Sequence, residues 1–211
     1  MKNITWLNHL LNFLAVILGV FLAFSINSLA ERQKQHKELG EITRSLIEDL
    51  EVDRQSYEER VIPSNIEQSE NLEQVIKDIV DPESAVQTTA NLGIDNYSPS
   101  GSTYLSITSS GKINLIGDLE IRKELSYYYD MLAEESKMKG QLQADFFLNE
   151  LMSWMIDNTT LLDVQTEDLQ GNMAIANMMA LYKALIDSKV EHYQRLDSTA
   201  IQLKQLLSEI Q

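Results

Sequence analysis

Apolar residues run from Leu10 to Leu29 without a charge, interrupted only by Asn12, Ser25, Asn27 and Ser28. Beyond Ala30 the pattern changes to a stripe: Leu39, Ile42, Leu46, Leu50, Tyr57 and Val61 keep a spacing built on three and four. That spacing predicts one amphipathic helix continuing from the apolar run. The Ile62-Pro63 step is expected to kink or end it, because proline lacks the amide and crowds the preceding turn. Residues 65–80 read as a second, shorter helix that returns along the first and closes at Asp81-Pro82. Pro82, Gly93, Pro99 and Gly101 then punctuate a loop. Ser102 is placed to cap a short helix that Gly111 terminates in a left-handed conformation.

Asp118 is the expected cap of a long helix reaching about Asp157, with Ile121, Leu125, Tyr128, Leu132, Leu142, Phe146 and Ile156 facing inward. At 1.5 Å per residue this is a rod of ~60 Å. Glu135 and Lys139 lie four apart on the same face, spaced to pair. After a turn at residues 158–172, a last helix over 173–210 shows a stripe of Met178, Leu181, Leu185, His192, Leu196, Leu203, Leu206 and Ile210. Stripes of this kind must be buried on one another. The expected fold is therefore all-α: an N-terminal transmembrane helix continuing into a long helix, plus an antiparallel bundle of about four soluble helices. Residues 1–30 form the anchor and 31–211 the bundle, with a loop-rich connection at about 81–117.

A helix of ~20 apolar residues is ~30 Å long, which matches the hydrocarbon core of a bilayer. Trp6 suits one interface, and Arg32, Lys34 and Lys37 can snorkel at the other. The alternative is a cleavable leader, since Ser28-Leu29-Ala30 loosely resembles a small-x-small cleavage site. Against it, the apolar run exceeds the ~7–15 residues of a leader's core, and the helical pattern passes straight through the supposed cut. Ala15, Gly19 and Ala23 recur every four residues, and Asn27 falls near the same stripe. Small residues so spaced let helix backbones approach, and an amide in lipid gains from a partner, so self-association through this face is expected. Counting Lys and Arg on either side of the helix puts the C-terminal part in the cytoplasm.

Charge narrows the partners. The 211-residue chain carries 17 basic and 32 acidic residues, a formal net charge of -15. Every acidic residue lies after Ala30, where the surface should repel nucleic acid and anionic head groups. The lipid bilayer is thus the first partner, and a second copy or another membrane protein the next. The chain has no cysteine, which removes disulfides, thiolate metal sites and a thiol nucleophile together.

The run Ser102–Ile116, STYLSITSSGKINLI, invites comparison with a phosphate loop because it contains Gly111-Lys112. Such a loop needs glycine four residues before the Gly-Lys pair and Ser or Thr after it. Ser106 and Ile113 occupy those positions, so Gly111 reads as a helix stop. Metal-carrying bundles use a Glu-x-x-His pair, but Gln33 and Lys189 precede His36 and His192 by three. The acidic turn Asp163–Asp168 lacks the glycine and terminal glutamate of a calcium loop. Glu48, Asp49, Glu51 and Asp53 point in different directions around one helix and read as scattered surface charge. Tyr127, Tyr128, Tyr129, Phe146, Phe147 and Trp154 are expected in the core, with a ligand cleft as the other use for them. None of these residues calls for a cofactor or a metal, and the chain is expected not to be an enzyme.

Two stretches carry a family resemblance. Gly19-Val20-Phe21-Leu22-Ala23-Phe24-Ser25-Ile26-Asn27, followed by Glu31, is similar to the membrane segment G-I-x-I-A-L-x-I-N-N-W-N-E of an uncharacterised family of single-pass Gram-negative bacterial membrane proteins. Ser102-Thr103-Tyr104 and Ser109-Ser110-Gly111-Lys112-Ile113-Asn114-Leu115-Ile116, trailed by tyrosines near Tyr127, resemble that family's S-T-Y and S-S-G-K-L-N-L-I. Ser28 and Leu29 stand where the family has Asn and Trp. The resemblance covers roughly residues 10–60 and 100–130. It implies an inner-membrane location with a periplasmic bundle, opposite to the charge count, and no activity. The expected function is that of a non-enzymatic scaffold or assembly partner. The alternative is a membrane-anchored sensor that binds a small ligand between helices and signals through a partner. A packed interior favours the first, a polar pocket among the tyrosines the second.

Overall fold

The computed structural model describes residues 3–81, 83, 88–158 and 169–210, and it is all-α. The first rod is continuous: α1 (Asn3–Ser56) passes through a widened π-turn (Tyr57–Val61) into α2 (Ile62–Val80). α2 therefore does not return along α1, as the Pro63 signal suggested, but prolongs it. Pro63 sits in the first turn of α2, immediately after the π-turn. The π-turn widens the backbone where the proline ring would otherwise meet a carbonyl of the preceding turn.

The return leg is an extended strap, residues 88–101, which runs back along the bundle to α3 (Ser102–Ser109) and a 3-10 turn (Lys112–Leu115). The second rod follows: α4 (Leu119–Ser126), a π-turn (Tyr127–Leu132), α5 (Ala133–Phe146), a third π-turn (Phe147–Leu151) and α6 (Met152–Asn158). Asp118 caps it, its Oδ1 accepting the Glu120 amide at 2.7 Å. α7 (Met173–Glu209) closes the bundle, capped by Asn172. It runs antiparallel to the first rod, with Asp197 on Arg54, Asp187 on Ser69, and the Gly171 amide on the Ile79 carbonyl at 2.8 Å.

The core has two parts. The part nearer the apolar run gathers Leu46, Leu50, Tyr57, Leu125, Tyr128, Leu196 and Leu203. The far part gathers Leu72, Val75, Ile79, Leu151, Ile175, Tyr182 and Ile186. Two stripes differ from expectation. In the second rod Leu142 and Ile156 face solvent, while Ser136, Gly140 and Gln143 face inward. The π-turn at 127–132 adds about one residue to its turn, so the inward row along α5 moves one place along the chain, while Phe146 still packs against Tyr182. In α7, Met179, Tyr182 and Ile186 are buried in place of Met178, Leu181 and Leu185. The acidic turn 163–168 lies outside the described residues.

Candidate functional site

Asp53 continues the α1 stripe between Leu50 and Tyr57 and is buried, at 2 % exposure. It is therefore not surface charge, as its acidic neighbours suggested. Its Oδ1 accepts the Tyr97 hydroxyl at 2.6 Å and its Oδ2 the Tyr128 hydroxyl at 3.0 Å. Tyr57 lies 3.2 Å from Tyr128, oxygen to oxygen. Because the Tyr128 proton points at Asp53, Tyr57 must be the donor, which gives a one-way chain Tyr57 to Tyr128 to Asp53. Burial raises the Asp53 pKa, partly offset by the two phenols. Burial likewise raises the pKa values of Tyr57 and Tyr128, and pushes Tyr97 up to about 12. Tyr57, Tyr97 and Tyr128 are therefore protonated phenols at neutral pH.

The rings pack as well as bond. Tyr57 meets Tyr97 edge-on at 5.3 Å and stacks with Tyr193 at 6.0 Å, and Tyr104 stacks on Tyr129 at 5.0 Å. Two π-turns place this cluster, for Tyr57 opens one and Tyr128 lies in another. Asp49, one turn before Asp53, accepts the Thr103 amide at 3.2 Å. That carboxylate caps α3, whose N-cap is Gly101 at φ 58° and not Ser102. Tyr128 and Tyr129 are core residues, at 0 and 8 % exposure. One open cleft of about 660 Å³ is bordered by Tyr127, Met131 and Met138, and another of about 420 Å³ by Ser102, Thr103, Ser106 and Lys112.

The strap lies in a groove between α2, α5 and α7 whose side chains address its main chain. Asn71 donates to the Thr89 carbonyl at 3.0 Å and accepts the Asn91 amide at 2.7 Å. Gln68 donates to the Asn91 and Gly93 carbonyls. Asn65 and Lys189 both donate to the Asp95 carbonyl, at 3.2 and 2.9 Å. Tyr193 accepts the Tyr97 amide at 3.0 Å, and Ser136 donates to the Tyr97 carbonyl at 2.6 Å. Lys189 also donates to Gln143 Oε1, and its burial lowers its pKa from the ordinary 10.5 to about 8. An extended chain has no helical ladder of its own, so these bonds replace one. The Asn96 side chain rests on α5 at Gly140: a Cβ there would stand 2.7 Å from the Asn96 side-chain amide nitrogen, so a larger residue would have to push that side chain aside.

The other residues singled out by sequence are dispersed. Ala15, Gly19, Ala23 and Asn27 are exposed on the apolar part of α1, and nothing lies within 4 Å of a Cβ built on Gly19. Gly111 has φ 73° just beyond α3. His192 is buried at the seam, with Nε2 donating to the Leu132 carbonyl at 2.9 Å and Nδ1 accepting from Arg195. Burial lowers its pKa. Glu135 and Lys139 pair at 3.6 Å on the flank of the rod. Among the described residues, no three His, Asp or Glu side chains gather as a metal site. No family model matches the chain, and no curated protein or solved structure matches it.

Proposed function

We propose that this chain is a single-pass membrane protein whose acidic helical bundle acts by contact, as a scaffold or assembly partner at the inner membrane of a Gram-negative bacterium. The observation that carries the reading is the first rod. Its helix over Asn8–Val80 holds a lipid-length apolar window with none of it buried in the protein, at mean hydropathy 2.3. The same helix then supplies Leu46, Leu50, Tyr57 and Val61 to the core at 0 % exposure. An exposed apolar run of that length has no stable place in water.

The interior supports contact over sensing. Tyr57, Tyr128 and Tyr193 are buried, stacked and hydrogen-bonded on one another, the arrangement of a packed core. The reading adds a second copy or another membrane protein as partner, met in lipid through Ala15, Gly19, Ala23 and Asn27. It places the bundle in the periplasm, following the resemblance of the membrane segment. Alkaline carbonate washing of membranes tests the anchor: the chain should stay with the lipid, and its release would end the reading. A reporter fused after Gln211 that works only in the cytoplasm would reverse the orientation. Crosslinking in the native membrane that yields monomer alone would remove the self-association.

A further inference from the structure

We propose that the open cleft between the second rod and α7 is a docking site for an amphipathic helix of a partner protein, one with apolar residues at helical spacing and lysines or arginines beside them. This deepens the contact-protein reading and rests on it, naming where contact is made beyond the lipid. Met131 and Met138 line the cleft at 63 and 64 % exposure, with Tyr127 at one end. Leu142, four residues beyond Met138, continues the stripe at 54 %. The opposite side of the same rod already supplies Tyr128 and Leu132 to the core. This outer row faces solvent, so its burial has to come from another molecule. Methionines suit the task, because their flexible, polarisable side chains fit apolar surfaces of many shapes. Both walls are helices whose main chain is closed within themselves, so an extended segment finds no edge to pair with. A helix brings its own main-chain bonds and needs only side-chain contacts.

Charge selects which helix. Asp130, Glu134 and Glu135 stand on the rim. Lys137 pairs with Glu134 at 3.4 Å and Arg195 with Glu135, so two of the three carboxylates are answered. Asp130 is exposed, and among the described residues its Oδ2 accepts only the hydroxyls of Tyr104 and Ser126, at 2.6 and 2.8 Å. That carboxylate is the seat for an incoming cation. The surroundings have the same sign: beyond Ala30 stand all 32 acidic residues but every basic residue except Lys2, 16 of the 17. Such a field draws in a basic partner. It also disfavours a second copy, since anchored copies related by a two-fold axis across the membrane would set Asp130 and Glu134 near their own counterparts. Lipid is too far away: Tyr128 meets Asp53, which puts the start of the cleft ~33 Å along the first rod from Glu31.

The test uses the full chain in phosphatidylcholine nanodiscs and a fluorescent synthetic helical peptide with leucines three and four apart and lysines between them, read by anisotropy against empty discs. Wild type should bind it well above the empty discs, and less tightly as salt is raised. The same peptide with glutamates in place of lysines should not bind. Met131→Ser with Met138→Ser should weaken binding at least ~10-fold, and Asp130→Asn several-fold, at unchanged helical circular dichroism. If the double variant loses helicity, Met138→Gln carries the comparison. Val52→Ser with Leu181→Ser, at exposed apolar positions outside the cleft, should leave binding as it was. Binding no greater than that of empty discs, equal binding of both peptides, or a methionine variant that binds like wild type or like the control pair overturns the proposal. Copies that crosslink in wild-type discs and lose the crosslink in the methionine pair would make the occupant a second copy and overturn it too. Entry into the discs tests the anchored reading separately. A chain that stays outside them sinks that reading while the peptide still tests the cleft, and a chain that enters without binding the peptide sinks the cleft alone.

Discussion

Asp53 shows how one polar side chain organises its surroundings. Two phenols point their protons at this buried carboxylate, so removing the acceptor strands both. Asp53→Ala should destabilise the protein by about 2–4 kcal/mol in urea unfolding, and Asp53→Asn by less, because the amide keeps one acceptor. The neighbouring tyrosines offer an internal contrast. Tyr128 is bonded on both sides, whereas no protein group reaches the buried Tyr129 hydroxyl. Tyr128→Phe should cost about 1–2 kcal/mol while Tyr129→Phe is close to neutral or stabilising; equal losses would refute the assignment. Lys189 gives a pH signature of defined sign. Its folded pKa of about 8 lies below the ordinary 10.5, so between those values the unfolded chain binds more protons and stability rises with pH. The raised tyrosine values reverse the slope above about pH 10, where unfolded phenols ionise first. Subtracting the Lys189→Met curve from the wild-type curve should leave only the rise. Asp53 could have been found in the sequence, since 46, 50, 53, 57 follows helical spacing; its charge concealed it among acidic neighbours. Lys189 occupies a comparable position on α7, and a stripe read from apolar residues alone passes over both.

At the scale of elements, the second rod and α7 are legible because long proline-free stretches with apolar stripes have few other ways to fold, whereas the first rod runs on through Pro63. What was not legible has a local cause in each case. Widened turns leave no mark in hydropathy, yet one of them moves the inward row from 135, 139 and 142 to 136, 140 and 143. In α7 the adjacent apolar pairs 178/179, 181/182 and 185/186 fit either register, and the polar contacts of Tyr182 with the strap favour the second. The strap reads as loop because its order comes from side chains on other elements, among them Asn65, Gln68, Asn71 and Tyr193. Loosening those bonds should therefore expose it without melting the bundle. Gln68→Leu should accelerate chymotrypsin cleavage after Leu92 or Tyr97 several-fold while the helical signal holds, and an unchanged cleavage rate would mean that apolar anchoring holds the strap instead.

For the whole molecule, the apolar half of α1 and the bundle are energetically separate. Residues 10–29 are exposed or nearly so, while the core begins at Leu39 and Ile42. A chain beginning at residue 31 should leave the membrane fraction and keep its helicity and cooperative unfolding. Loss of folding would show that lipid is needed for the body as well as for attachment. The unbroken first rod also sets a height. In the anchored reading proposed above, the helix from Glu31 to Val80 can lift its far tip up to about 75 Å above the bilayer surface. Whatever touches the tip must stand as tall or come from the opposite side, whereas the tyrosine junction near Tyr57 lies at roughly half that elevation.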